Sequence, residues 1–166
     1  MFKRSFILAM ALFGMTAISS SLSAGEAYDG FSSATVAESV EGNYNGSLDY
    51  VNMNGSVKDP VQNITAEVTE NADGSFNIKI PAFQVGSMPG SITINATDLD
   101  NSGNFNKLCS KAVTLRLLGI GFTEKSFDAQ VSGSIVGNTL SFTVTTVGAT
   151  YLGIPFSAEV HFTGSK

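Results

Sequence analysis

The sequence predicts an all-β fold, an eight-stranded antiparallel up-and-down barrel, with a two-sheet β-sandwich as the alternative closure. Three observations predict it. Apolar and polar residues alternate with a period of two through eight runs, turn-forming residues fall between the runs, and no 3.6-residue apolar stripe follows the first two dozen residues. Successive side chains on a strand point to opposite faces, so each run describes a half-buried strand. Short connections make the strands antiparallel, because parallel pairs need long crossovers. Closure also removes the free edges at which sheets aggregate.

The first element is a leader. Lys3 and Arg4 precede an uncharged run from Phe6 to Ile18, followed by Ser19, Ser20, Ser21, Ser23, Ala24 and Gly25. A basic start, a short apolar middle and a small-residue exit describe a secretory signal peptide over residues 1–24. The apolar run is shorter than the roughly 20 residues of a spanning helix, so the chain is not expected to be an integral membrane protein. No cysteine lies near the exit, so the expected product is non-lipidated and periplasmic or secreted. Residues 25–40 carry little pattern and are expected to form a flexible N-terminal arm. Residues 41–166 form the barrel domain.

Within that domain, Tyr44, Gly46, Leu48 and Tyr50 share one face of the first run. Ile64, Ala66 and Val68 follow, then Phe76, Ile78 and Ile80. Pro81 interrupts this run, and the apolar parity changes to Phe83 and Val85, as a bulge would make it. Ile92, Ile94 and Ala96 form the next face, then Val113, Leu115 and Leu117. Phe127, Ala129, Val131, Gly133 and Ile135 precede Leu140, Phe142 and Val144. The last run places Ile154, Phe156, Ala158, Val160 and Phe162 on one side. Asn54-Gly55, Asp73-Gly74, Met88-Pro89-Gly90, Ser102-Gly103 and Gly137-Asn138 punctuate the series with residues that tight turns favour.

The segments Gly42-Asn43-Tyr44-Asn45-Gly46-Ser47-Leu48, Asn71-Ala72-Asp73-Gly74-Ser75-Phe76 and Phe162-Thr163-Gly164 resemble those of the calycin-like family. The strands around Val131-Ser132-Gly133-Ser134-Ile135 and the turn Gly137-Asn138 fit it as well. The resemblance spans roughly residues 40–166. It implies an exported bacterial protein with an eight-stranded, lipocalin-like barrel that takes an apolar ligand, and it transfers no catalytic residues. The chain has no tryptophan and so lacks the Gly-x-Trp signature of true lipocalins.

Composition narrows the function. The 166 residues are 43% hydrophobic and 14% charged, with one cysteine and one histidine. That excludes a disulfide scaffold, a Cys/His zinc site and a two-histidine metal centre. Without the leader, seven basic and fourteen acidic side chains leave a net charge of −7, the wrong sign for phosphate contacts, so no nucleic acid is expected. His161 is the one candidate general base. No Gly-x-Ser-x-Gly elbow accompanies it, so a solvated surface histidine and no enzyme activity are expected. Asp98, Asp100, Ser102 and Gly103 imitate the start of a calcium loop, but Cys109 stands where the bidentate glutamate belongs. No metal and no cofactor are expected.

The apolar face mixes bulky residues with small Gly46, Ala66, Ala96, Ala129, Gly133 and Ala158. An eight-stranded interior is filled by side chains or holds one small ligand. The leading expectation is a non-catalytic exported barrel that binds a small hydrophobic molecule, lined by Tyr44, Phe76, Leu115, Phe142, Phe156, Val160 and Phe162. The alternative is a fully packed barrel that meets protein or glycan through its outer face or loops, with Leu117, Leu118, Ile120 and Phe122 as a candidate contact.

Overall fold

The computed structural model describes residues 39–117 and 123–166. The leader, the arm up to residue 38, and Leu118, Ile120 and Phe122 of the candidate contact lie outside the described residues. Eleven strands are present among the described residues, and no helix. They are β1 (Gly42–Met53), β2 (Ser56–Lys58), β3 (Val61–Glu70), β4 (Phe76–Phe83), β5 (Gly90–Leu99) and β6 (Asn104–Leu117), then β7 (Thr123–Val136), β8 (Thr139–Thr146), β9 (Thr150–Tyr151), β10 (Ile154–Pro155) and β11 (Ala158–Ser165).

The long strands pair in the order β11-β8-β7-β6-β5-β4-β3-β1, every neighbour antiparallel. β1 then pairs back onto β11, from Asn45↔Ser165 to Met53↔Ala158. That seam closes eight strands into a barrel and excludes the sandwich. β2 extends β1 across the Asn54-Gly55 turn, while β9 and β10 form a separate hairpin. Asn54 and Gly55 have φ of 50° and 75°, the left-handed pair that a two-residue hairpin turn requires.

Three features depart from simple alternation. The ladder between β4 and β5 shifts register between Ile80 and Phe83, where Pro81 places a bulge. β6 begins at Asn104, well before the expected run at Val113, because a register shift between Cys109 and Val113 scrambles its parity. Asp128 holds that shift by accepting from the Ser110 hydroxyl at 3.1 Å and the Lys111 backbone N–H at 2.9 Å. Ile154, expected on the inner face of the last strand, is 68% exposed, because the chain makes the β9–β10 hairpin before β11 starts.

The interior is a single apolar cluster with no buried polar or charged residue among the described ones. Its small residues are sites of close approach rather than gaps. A Cβ added to Gly46 would lie 1.9 Å from the Thr163 carbonyl oxygen across the seam. Aromatic pairs fill the space beside them: Phe142 with Phe162 (centroids 5.2 Å apart), Phe127 with Phe156 (5.0 Å) and Phe76 edge-on to Phe105 (5.3 Å). Each such pair adds roughly 0.5–1.5 kcal/mol beyond area burial.

Candidate functional site

The two ends of the barrel differ. At the end where β1 begins, the Tyr44 hydroxyl donates to the Val40 carbonyl at 2.8 Å. The Lys166 ammonium donates to the carbonyls of Ser39 and Glu41 at 2.6 and 3.0 Å and stands 5.4 Å from the Tyr44 ring centroid. These contacts draw the chain entering β1 across the base of the barrel. The opposite end is a mouth. There the β1–β2 turn and the segment Val85–Met88 border an open groove of about 690 Å³. Met53, Val57, Val85 and Met88 give it an apolar lining, and Asn54, Ser56, Lys58, Asp59 and Ser87 give it a polar rim.

Local chemistry fixes the groove walls. The Asn54 N–H donates to the Ser157 carbonyl at 2.8 Å, and its side-chain oxygen accepts from the Ser157 N–H at 2.9 Å. This double bond ties the β1–β2 turn to the segment entering β11. Lys58 Nζ donates to Ser56 Oγ at 3.1 Å. With Lys58 and Asp59 on the same rim, the groove carries no strong sign of charge and suits an amphipathic molecule better than an ion.

Inside the barrel, beneath the mouth, a cavity of about 10 Å³ is bordered by Met53, Ile92, Ile94, Val113, Val144, Ala158 and Val160. A space of that size is about that of one water molecule. Met53 borders both groove and cavity. Its unbranched, three-torsion side chain repacks at low cost.

Tyr44, Phe76, Leu115, Phe142, Phe156, Val160 and Phe162, the residues expected to line a ligand chamber, all face inward and are buried. They are brought together as a packed core, and of the seven only Val160 borders the small cavity. Gly133 shows why the small residues leave no room. The adjacent strand lies directly against it, with the Ser141 carbonyl oxygen and the Phe142 Cα and Cβ where its side chain would stand. The groove residues escaped the sequence reading because Met53 ends β1, Val57 lies in the three-residue β2 and Met88 in the loop after β4, stretches too short for alternation to register.

His161, expected as a solvated surface histidine, has a side chain 36% exposed and two polar neighbours. Its Nδ1 lies 2.5 Å from Asp49 Oδ1 and its Nε2 lies 3.2 Å from Ser141 Oγ. Thr163 Oγ1 donates to the other Asp49 oxygen at 3.2 Å. A bulge in β1 between Leu48 and Tyr50 produces this set. It turns Asp49 and Tyr50 both outward opposite His161, so Tyr50, expected inside, is 37% exposed. Asp98, Asp100 and Ser102 border an open hollow with Glu70 and Asp73, and Gly103 does not. Among the described residues no group of three or more His, Cys, Asp or Glu is arranged to hold a metal ion.

A family model, the calycin-like beta-barrel domain, matches residues 40–165, which include every strand of the closed barrel. The chain belongs to the calycin-like family. Neither the curated proteins nor the solved structures compared with it gave a match. Calycin-like barrels are generally binding folds rather than enzymes. No helix among the described residues is long and apolar enough to cross a membrane.

Proposed function

We propose that this calycin-like protein is an exported binding module that holds a small amphipathic molecule at the mouth of its barrel. The observation that carries this is the contrast between the two spaces: about 690 Å³ in the mouth groove against about 10 Å³ on the axis. Ligand sites are commonly clefts of about 300–1,000 Å³ with apolar walls and a few polar groups. The groove meets that description through Met53, Val57, Val85 and Met88, with Asn54 and Lys58 beside them. The packed aromatic core then serves as the rigid floor. Export rests on the leader, with Lys3, Arg4 and the apolar run to Ile18.

The test is a titration with 1-anilinonaphthalene-8-sulfonate, an apolar fluorophore with an anionic head. Saturable binding at one site per chain, abolished by Val57→Asp or Met88→Asp and kept by Phe142→Leu, supports the proposal. Binding that ignores both groove variants removes it. Purification of the protein from the periplasm or medium, starting near Gly25, checks the export reading.

A further inference from the structure

Asp49, His161 and Ser141 come from three adjacent strands, β1, β11 and β8, and meet on the outer wall of the barrel, away from the mouth. Their polarity is that of a nucleophile, its base and an orienting acid. His161 Nδ1 faces Asp49 Oδ1 and Nε2 lies 3.2 Å from Ser141 Oγ, so the tautomer with its N–H on Nδ1 would present the Nε2 lone pair to the Ser141 hydroxyl. Thr163 holds the second carboxylate oxygen and fixes its plane. The bulge between Leu48 and Tyr50 is what aims Asp49 at His161, as bulges re-aim side chains elsewhere. His161 and Asp49 keep 36% and 47% of their side-chain surface exposed, so a reagent can reach the cluster from solvent.

We propose that Ser141 is a nucleophile that takes acyl groups from activated esters, with His161 as its general base and Asp49 as the residue that positions the base. Ser141 Oγ gives its proton to His161 Nε2 and bonds to the ester carbonyl carbon. The bond from that carbon to the leaving oxygen breaks, and the leaving group takes the proton from His161. Water then attacks the acyl-serine carbonyl as His161 takes its proton, the bond from that carbon to Ser141 Oγ breaks, and His161 returns the proton to Oγ, releasing the acid. Ser141 lies on a strand paired on both sides, so the backbone N–H groups around it serve the ladder rather than an oxyanion. The neighbouring hydroxyls of Ser134 and Thr143 are the remaining donors. Such a site suits esters whose leaving group is a good one, such as aryl esters, which need least oxyanion stabilisation.

The experiment is incubation of the protein with p-nitrophenyl acetate and, separately, with a fluorophosphonate, followed by peptide mapping and stopped-flow detection of nitrophenolate. The expected result is a single modified residue, Ser141, lost in Ser141→Ala, and acylation slowed about 100-fold in His161→Gln, as loss of a general base predicts. Asp49→Asn should slow acylation while leaving the affinity for the ester and the melting temperature unchanged, which a strap between strands would not do. Modification spread over other residues, or a His161→Gln protein labelled as fast as the parent, overturns the proposal. Loss of labelling leaves the mouth-binding reading intact, because fluorophore titration reads a different surface.

Discussion

Phe142 on β8 lies against Gly133 on β7, and a Cβ built on that glycine would come within 2.5 Å of the Phe142 Cβ and 2.2 Å of the Ser141 carbonyl oxygen. Backbone, not a mobile side-chain tip, is the nearer obstacle. Gly133→Ala therefore forces two strands apart, and overpacking of this kind costs about 1–3 kcal/mol. Urea unfolding of the purified protein should show that loss. An unchanged midpoint would mean that the barrel wall has slack there.

The same packing predicts the response to truncation. Phe162 is fully buried, packs at a tilt against Phe142 and lies across the seam from Leu48. Phe162→Ala should cost about 3–5 kcal/mol, the range for a deleted core aromatic. The milder Phe162→Leu should keep the fold, and both changes should appear in thermal unfolding before any change in mouth binding.

Leu152 occupies the first position of the β9–β10 turn with φ of 51°, followed by Gly153 at 79°, and its side chain is 77% exposed. A branched side chain gains nothing there in packing and carries a left-handed backbone penalty of about 1 kcal/mol. Asn at this position suits the turn. Leu152→Asn should therefore raise the melting temperature, and a fall would show that the exposed leucine is held by a contact.

Burial lifts the Cys109 thiol above its ordinary range, against weaker opposing effects of a backbone hydrogen bond at Thr97 and of Lys107. Because the folded value is the higher one, the neutral thiol is favoured in the native state. Its contribution is present below the unfolded value and is lost as pH rises through the alkaline range. Cys109→Ala should flatten the decline of stability above the unfolded thiol's titration. In the parent, native-state alkylation by iodoacetamide should be slow and become fast in denaturant.

Much of this molecule was legible because alternation is a strong signal wherever one face is buried. Tyr44, Ile64, Phe76, Ile92, Phe127, Leu140 and Phe162 all sit on the predicted inner faces. Alternation failed where an extra residue enters a strand, at Asp49–Tyr50 in β1 and at Ser110–Ala112 in β6. It also failed at Ile154, where a short hairpin mimics the start of the last strand. Composition reported the small inward residues but not what fills beside them, since that depends on which aromatic the register brings opposite. The Ser141–His161–Asp49 meeting has the same origin. It spans three strands, and neither the seam register nor the bulge is written in any local motif.

Met53 borders both the mouth groove and the small interior cavity, so shortening it is expected to join the two spaces. Met53→Ala should accept longer alkyl chains than the parent, seen as tighter binding of a twelve-carbon than of an eight-carbon sulfate. Equal change for both chain lengths would place Met53 outside the binding path.

The most direct measurement is a methyl-detected NMR titration of the protein with the eight-carbon alkyl sulfate. Shifts concentrated on the methyls of Met53, Val57, Val85 and Met88, with Leu48, Val131 and Leu140 unmoved, are the predicted result. Shifts centred on the core methyls around Phe142 and Phe162, with the groove silent, would contradict it.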